Sequence, residues 1–264
     1  MKKISASLKE NTLELKKILH VDKNFDLIYR EQKLGQKDAG FFFIDGFIKD
    51  TIMERLLKSF SDIQDGDVPE SAREFSDKYI PYVEVDLLDD VEDITTAILS
   101  GVACYFVDGY KECMAIDCRT YPMRSVDEPW KDRVLRGSRD GFVETVVSNV
   151  ALIRRRIRDP RMCVEILQAG LKSRTDISVA YIEGVADMKL VRKIKNKISD
   201  IDVDALSMNI ESLAEAILEG PYINPFPKFK YTERPDTALY WMEILCFWLT
   251  IRRLLLLCLQ VYSM

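Results

Sequence analysis

Six cysteines (Cys104, Cys113, Cys118, Cys163, Cys246 and Cys258) and one histidine, His20, are the side chains best suited to nucleophilic attack or soft-metal binding. Their spacing serves neither. A tetrahedral zinc site draws on closely spaced Cys or Cys/His pairs, and no Cys-x-x-Cys occurs. A hydrolytic triad needs a histidine beside an activated nucleophile. G-x-S-x-G is absent, and His20 sits at the boundary of a helical face carrying Leu15 and Ile18. The phosphate-cradling G-x-x-x-x-G-K-[ST] and G-x-G-x-x-G loops are also missing. The pattern predicts no catalytic residue, no metal site and no cofactor, with reduced, structural thiols in a cytoplasmic setting. Three acidic residues stand at strand ends, Asp45, Asp108 and Glu183, each near a glycine. Calcium needs many oxygens from one loop. These belong to separate strands, so helix capping is the expected role.

Cations offer the remaining chemistry. Arg154, Arg155, Arg156 and Arg158 crowd the end of a helical segment, with Arg136 and Arg139 shortly before it. Arg136, Arg139, Arg154, Arg155 and Arg156 form the candidate interaction surface, suited to anionic headgroups or a neighbouring subunit. The plainer alternative is a solvated helix end that complements its own dipole. Lys189, Arg192, Lys193, Lys195 and Lys197 form a second basic segment, with Leu190, Val191 and Ile194 as its buried side; it reads as a surface helix.

The elements that position these groups follow from periodicity. Helices are predicted over 7–20, 50–57, 91–99, 142–157, 188–198 and 203–218, and strands over 25–30, 41–44, 82–85, 102–107 and 177–182. Residues 114–116 complete a hairpin with 102–107, Gly35 to Gly40 form a turn, and 163–171 is a strand or a short helix. Asp50 and Asp140 are candidate N-caps, and Glu144 suits a first turn. Segment 121–141, with Pro122, Pro129 and Gly137 among many charges, reads as a linker between subdomains 1–120 and 142–238. The fold class is mixed α/β, two similar halves. The balance of 38 basic against 43 acidic residues gives a net charge of −5, which argues against nucleic acid as a partner. An apolar fraction of 47% excludes disorder, and the N-terminus lacks the apolar run of a secretion signal.

An internal repeat supports the two halves. Phe41-Phe42-Phe43-Ile44-Asp45-Gly46-Phe47 parallels Val179-Ala180-Tyr181-Ile182-Glu183-Gly184-Val185, each a buried strand, an acid, a glycine and then a helix. The first half later carries Thr96-Ala97-Ile98-Leu99-Ser100-Gly101 before a strand, but no counterpart follows Thr237-Ala238. A slip of reading frame after Ala238 would convert Trp241-Met242-Glu243 into Asp-Gly and allow such a counterpart. Residues 239–264 are therefore expected to be an out-of-frame tail. The competing reading, a membrane helix over 239–259, would place Glu243, Arg252 and Arg253 in the bilayer, each costing about 2.5 kcal/mol or more at midplane.

The assembled segments resemble the GerA family of spore germination proteins, the A subunits of germinant receptors. The resemblance rests on Leu34-Gly35 through Gly46, Leu99 to Tyr110, Arg124 to Pro129, Arg136 to Glu144, Asn149 to Arg156, Ala180 to Gly184, Pro225-Phe226-Pro227 and Thr232 to Asp236. The Arg136-Gly137-x-Arg139-x-Gly141-Phe142 and Ala151-Leu152-Ile153-Arg154-Arg155 blocks are its most specific parts. The resemblance implies a receptor component rather than an enzyme. Family members carry two soluble α/β subdomains followed by a transmembrane bundle, and they join B and C subunits in the spore inner membrane. They sense amino acids, sugars or nucleosides and act in a ligand-gated ion channel, with homo-oligomerisation through the A subunit. The chain is then expected to be the soluble domain alone, on the cytoplasmic side. The alternative function is a small-solute module with a cleft between the halves.

Overall fold

In each half of the chain an eight-residue strand folds back on another of equal length. The computed structural model describes residues 2–80, 84–120, 141–143, 145–202, 213, 231–237 and 248–250, the last three by backbone alone. The chain divides into two units, Met1–Pro122 and Met123–Met264.

In the first unit β1 (Leu27–Leu34) and β2 (Lys37–Ile44) pair without slip from Leu27↔Ile44 to Leu34↔Lys37. Only Gly35 and Gln36 make the turn, with Gly35 at φ 57°, as a two-residue hairpin loop requires. The predicted turn over Gly35 to Gly40 was too long. Lys37 to Gly40 have weak strand propensity, but pairing on both sides overrides it: Ala39 and Gly40 also face Val107 and Phe106 of β4 (Ala103–Val107). With β5 (Cys113–Ile116) and β3 (Val85–Leu88), the sheet order is β1-β2-β4-β5-β3, antiparallel throughout. The predicted β4–β5 hairpin is present; β3 starts later than the predicted 82–85.

Alternation along β2 and β4 assigns the two faces. Phe41 and Tyr105 stack on each other at 4.2 Å and point toward α2 (Asp50–Ser61) and α3 (Ala72–Tyr79), where they meet Phe60 and Phe75 at centroid distances of 4.9 to 6.0 Å. Phe42 faces the other way with Tyr29, toward α1 (Leu8–Ile18), and α4 (Val91–Leu99) packs on β4 and β2. Helix α3 was not predicted, because its length of eight residues carries few apolar positions; Ser71 starts it by accepting from the Glu74 amide.

The caps differ from expectation. Asp50 is the first residue of α2, whose N-cap is Lys49 without a side-chain bond. Asp108 does cap a helix, but a distant one: its carboxylate accepts from the Leu8 amide at 2.9 Å, starting α1. Asp45 accepts from the Gly46 amide and tightens its own turn. Glu183 accepts from the Cys163 thiol, while Asp187 caps the helix that follows.

In the second unit β6 (Met162–Ala169) and β7 (Thr175–Ile182) pair from Met162↔Ile182 to Ala169↔Thr175, so the ambiguous stretch after Pro160 is a strand. A short strand β8 (Trp248–Thr250) lies antiparallel to β7, the place β4 holds beside β2. Helix α6 (Met188–Ser199) covers one face, with Val191, Ile194 and Ile198 on Cys163, Ile177, Val179 and Tyr181. Helix α5 (Val146–Arg154) is shorter than the predicted 142–157. Asn149 explains the late start. Fully buried, it accepts from the Val143 amide and donates to the Val143 carbonyl, both at 2.7 Å, so the chain before α5 folds back on it. The Asp140 cap, Glu144, the linker over 121–140 and the Pro221–Pro227 stretch fall outside the described residues, as does helix 203–218 except for buried Leu213. The expected tail does too, apart from β8. Among the described residues no helix is long and apolar enough to cross a membrane.

Candidate functional site

The end of α5 was expected to present a row of arginines. The structure separates them. Arg154 is fully buried and donates from Nη1 to the Met162 carbonyl at 3.1 Å, so it presents no charge to the surface. Its neighbours Leu152 and Ile153 are buried as well. A helix apolar around most of its girth leaves no consistently wet side for an adjoining arginine. Arg155 is exposed, and half-buried Arg156 turns back to the Leu152 carbonyl at 2.7 Å, satisfying an end-of-helix acceptor. Arg136 and Arg139 lie outside the described residues.

The basic helix, by contrast, keeps its cations together. Val191, Ile194 and Ile198 are buried; Lys189, Arg192, Lys193 and Asn196 are exposed and share the opposite stripe of α6, as the 3.6-residue period dictates. Lys195 flanks that stripe and is tied down, its Nζ donating to Glu165 Oε2 at 2.5 Å. The other Glu165 oxygen accepts from the Tyr181 hydroxyl at 2.8 Å. Burial, then the bond to Glu165, raises the Tyr181 pKa, so the phenol stays a donor. This network was missed at the sequence level. The signal was present: Cys163, Glu165 and Leu167 alternate on β6 facing a lysine-rich helix, which marks an inward acid with a partner available.

The first unit holds an open groove of about 530 Å³ between α1 and the β1–β2 hairpin, also unforeseen. Leu8, Thr12, Leu13 and Lys16 form one wall, and Tyr29 and Lys33 stand on the other. Lys16 Nζ sits 4.4 Å from the Tyr29 ring centroid, a cation–π geometry. The Tyr29 hydroxyl accepts from Thr12 at 3.3 Å, and burial raises its pKa. Gly40 makes room for this ring: a Cβ there would lie 2.6 Å from Tyr29 atoms. The lining sets Lys9, Lys16, Lys33, Glu31 and Asp38 around the Tyr29 ring, charged groups suited to holding a polar solute.

Comparison with known proteins fits this arrangement. A family model described as Bacillus/Clostridium GerA spore germination protein matches residues 14–242. Stage V sporulation protein AF of Bacillus subtilis is 35% identical over 216 residues, covering 81% of this chain and 44% of the relative. Spore germination protein KA of the same organism is 31% identical over 242 residues, covering 89% and 43%. The uncharacterized membrane protein YfkQ, also from Bacillus subtilis, is 32% identical over 238 residues, covering 89% and 45%. The chain thus spans a little under half the length of these curated relatives. Its fold matches the crystal structure of the N-terminal domain of the A subunit of the Bacillus megaterium spore germinant receptor GerK3. The TM-score is 0.74 at 23% identity, over 100% of this chain and 98% of that one.

Proposed function

The chain belongs to the GerA family of spore germination proteins, and on that premise we propose that it is the N-terminal domain of a germinant-receptor A subunit. The observation that carries this reading is coverage: the shared fold runs across the whole chain and across nearly all of the receptor domain it matches. In this role the domain transmits a nutrient signal rather than catalysing a reaction. It assembles with B and C subunits and with further A subunits, and the intact protein works in the spore inner membrane as part of a ligand-gated ion channel. Arg155, with Arg136 and Arg139, serves as a contact toward those subunits.

The test is genetic. Spores whose sole receptor A subunit is the intact protein carrying this domain should germinate with amino acids, sugars or nucleosides, and deletion of the domain should abolish the response. An unchanged response after deletion would overturn the proposal.

A second reading, solute binding by the domain itself, is favoured by the groove beside Tyr29. Titration calorimetry of the chain with amino acids, sugars and nucleosides should then give a heat that Tyr29→Ala removes. No heat at millimolar solute would dismiss it.

A further inference from the structure

Helix α6 carries five cations, Lys189, Arg192, Lys193, Lys195 and Lys197, and no acid between Met188 and Ser199, in a chain whose net charge is −5. Such segregation has a local cost. Lys189, Lys193 and Lys197 succeed one another at i, i+4, where like charges destabilise a helix. Only part of this charge is neutralised by its surroundings. Lys195 is held by Glu165, and Arg192 Nε donates to the Met188 carbonyl at 3.0 Å, an uncharged partner. Asp187 caps the N-terminus and Asp200 follows the C-terminus, so acids stand at the ends and not along the stripe. Lys189, Arg192 and Lys193 remain exposed, side by side.

We propose that this stripe docks the domain on an anionic lipid surface. The inference deepens the receptor reading and rests on it for the presence of a bilayer beside the domain. Residue type favours lipid over an acidic protein. The stripe has long flexible cations and Asn196 but no aromatic or large aliphatic anchor, whereas protein interfaces deplete lysine and concentrate such anchors. A leaflet of anionic headgroups needs no shape-matched anchor, only positive charge within about a Debye length of it. Just before the helix, Val185 is 48% exposed and offers one small apolar side chain beside the charges. The contact relieves the repulsion between Lys189 and Lys193, which no acid of α6 offsets.

The full chain should co-sediment at low salt with vesicles containing phosphatidylglycerol and not with pure phosphatidylcholine, and high salt should release it. Replacing Lys189→Gln, Arg192→Gln and Lys193→Gln together should weaken partitioning by on the order of 100-fold, since each cation near such a surface contributes roughly fivefold. Circular dichroism should show both proteins equally folded, because the three side chains are exposed. The double variant Lys172→Gln, Arg174→Gln removes two exposed cations elsewhere and should bind like the parent. Failure of the parent to bind, or equal loss in both variants, would overturn the proposal. So would binding to soluble polyglutamate in place of vesicles, which would assign the stripe to an acidic protein. Vesicle binding and the germination phenotype are separate measurements, so failure of one leaves the other readable.

Discussion

Two regions that share a strand–acid–glycine–helix unit have been put to different uses. In the first unit Gly46 turns the chain at φ 82° and Phe47 goes fully into the core. There it lies against Gly101, where a Cβ would sit 2.7 Å from the ring. In the second unit Gly184 turns at φ 84°, yet Val185 stays exposed and nothing lies within 4 Å of a Cβ at Gly184. The helices diverge alike. In α2 Asp50 and Glu54 balance Arg55 and Lys58, whereas α6 is wholly basic. One turn serves packing and the other leaves its surface open, so the same backbone device does not fix what its side chains do.

Phe47→Ala should therefore cost about 3–5 kcal/mol, while Val185→Ala should stay within about 0.5 kcal/mol. Urea unfolding of the two variants, followed by circular dichroism, measures the contrast; similar losses would erase it. The glycines come next. Gly101→Ala meets both a φ of 93° and the Phe47 ring, and should cost about 2–4 kcal/mol. Gly184→Ala meets strain alone, at about 1–2 kcal/mol.

A smaller pair of effects should have opposite signs. Tyr105 is buried among Phe41, Phe60 and Phe75, and its hydroxyl has no hydrogen-bond partner among the described residues. Tyr105→Phe should raise thermal stability by about 1 kcal/mol, because an unmet buried polar group is costly. Tyr181→Phe breaks the bond to Glu165 and should lower stability by about the same amount. Scanning calorimetry decides both.

The smallest effect concerns acid. Hydrogen bonds from Arg161 and Arg234 hold the Asp159 and Asp236 carboxyls below the ordinary range. A folded value below the unfolded one stabilises at pH above the unfolded value, about 3.9, and is lost as pH falls through the folded value. Asp159→Asn with Asp236→Asn should thus lower the urea midpoint at pH 7 and leave it unchanged at strongly acidic pH, with about 0.5 kcal/mol or less per pair.

What could be read in advance follows a physical divide. Strands buried on both sides, such as Ala103–Val107 and Ile177–Ile182, announce themselves as continuous apolar runs. Helix α4 is legible from another pattern, Val91, Ile94 and Ile98 at helical spacing with Asp90 before it as a cap. Lys37 to Gly40 could not, since their strand state comes from neighbours distant in the chain. The start of α5 was hidden for a similar reason: Asn149 reaches back six residues to Val143, a bond that periodicity does not record. Among site residues, the exposed stripe of α6 was legible because charge and apolar periods agree. The arginines of α5 misled because crowding in sequence does not place side chains on one side: Arg154 and Arg155 are neighbours, one buried and one exposed.

The described cysteines give the chain a means of reporting on itself. Cys104, Cys113 and Cys118 in the first unit and Cys163 in the second are all free and buried. Burial pushes the Cys113 thiol up and carries Cys118 to about 11, so both resist alkylation while their unit stays folded. With Cys246 and Cys258 replaced by serine, brief exposure to an alkylating reagent should mark each unit only when it opens. Mass spectrometry of the labelled peptides would then time the opening of each unit without any introduced probe.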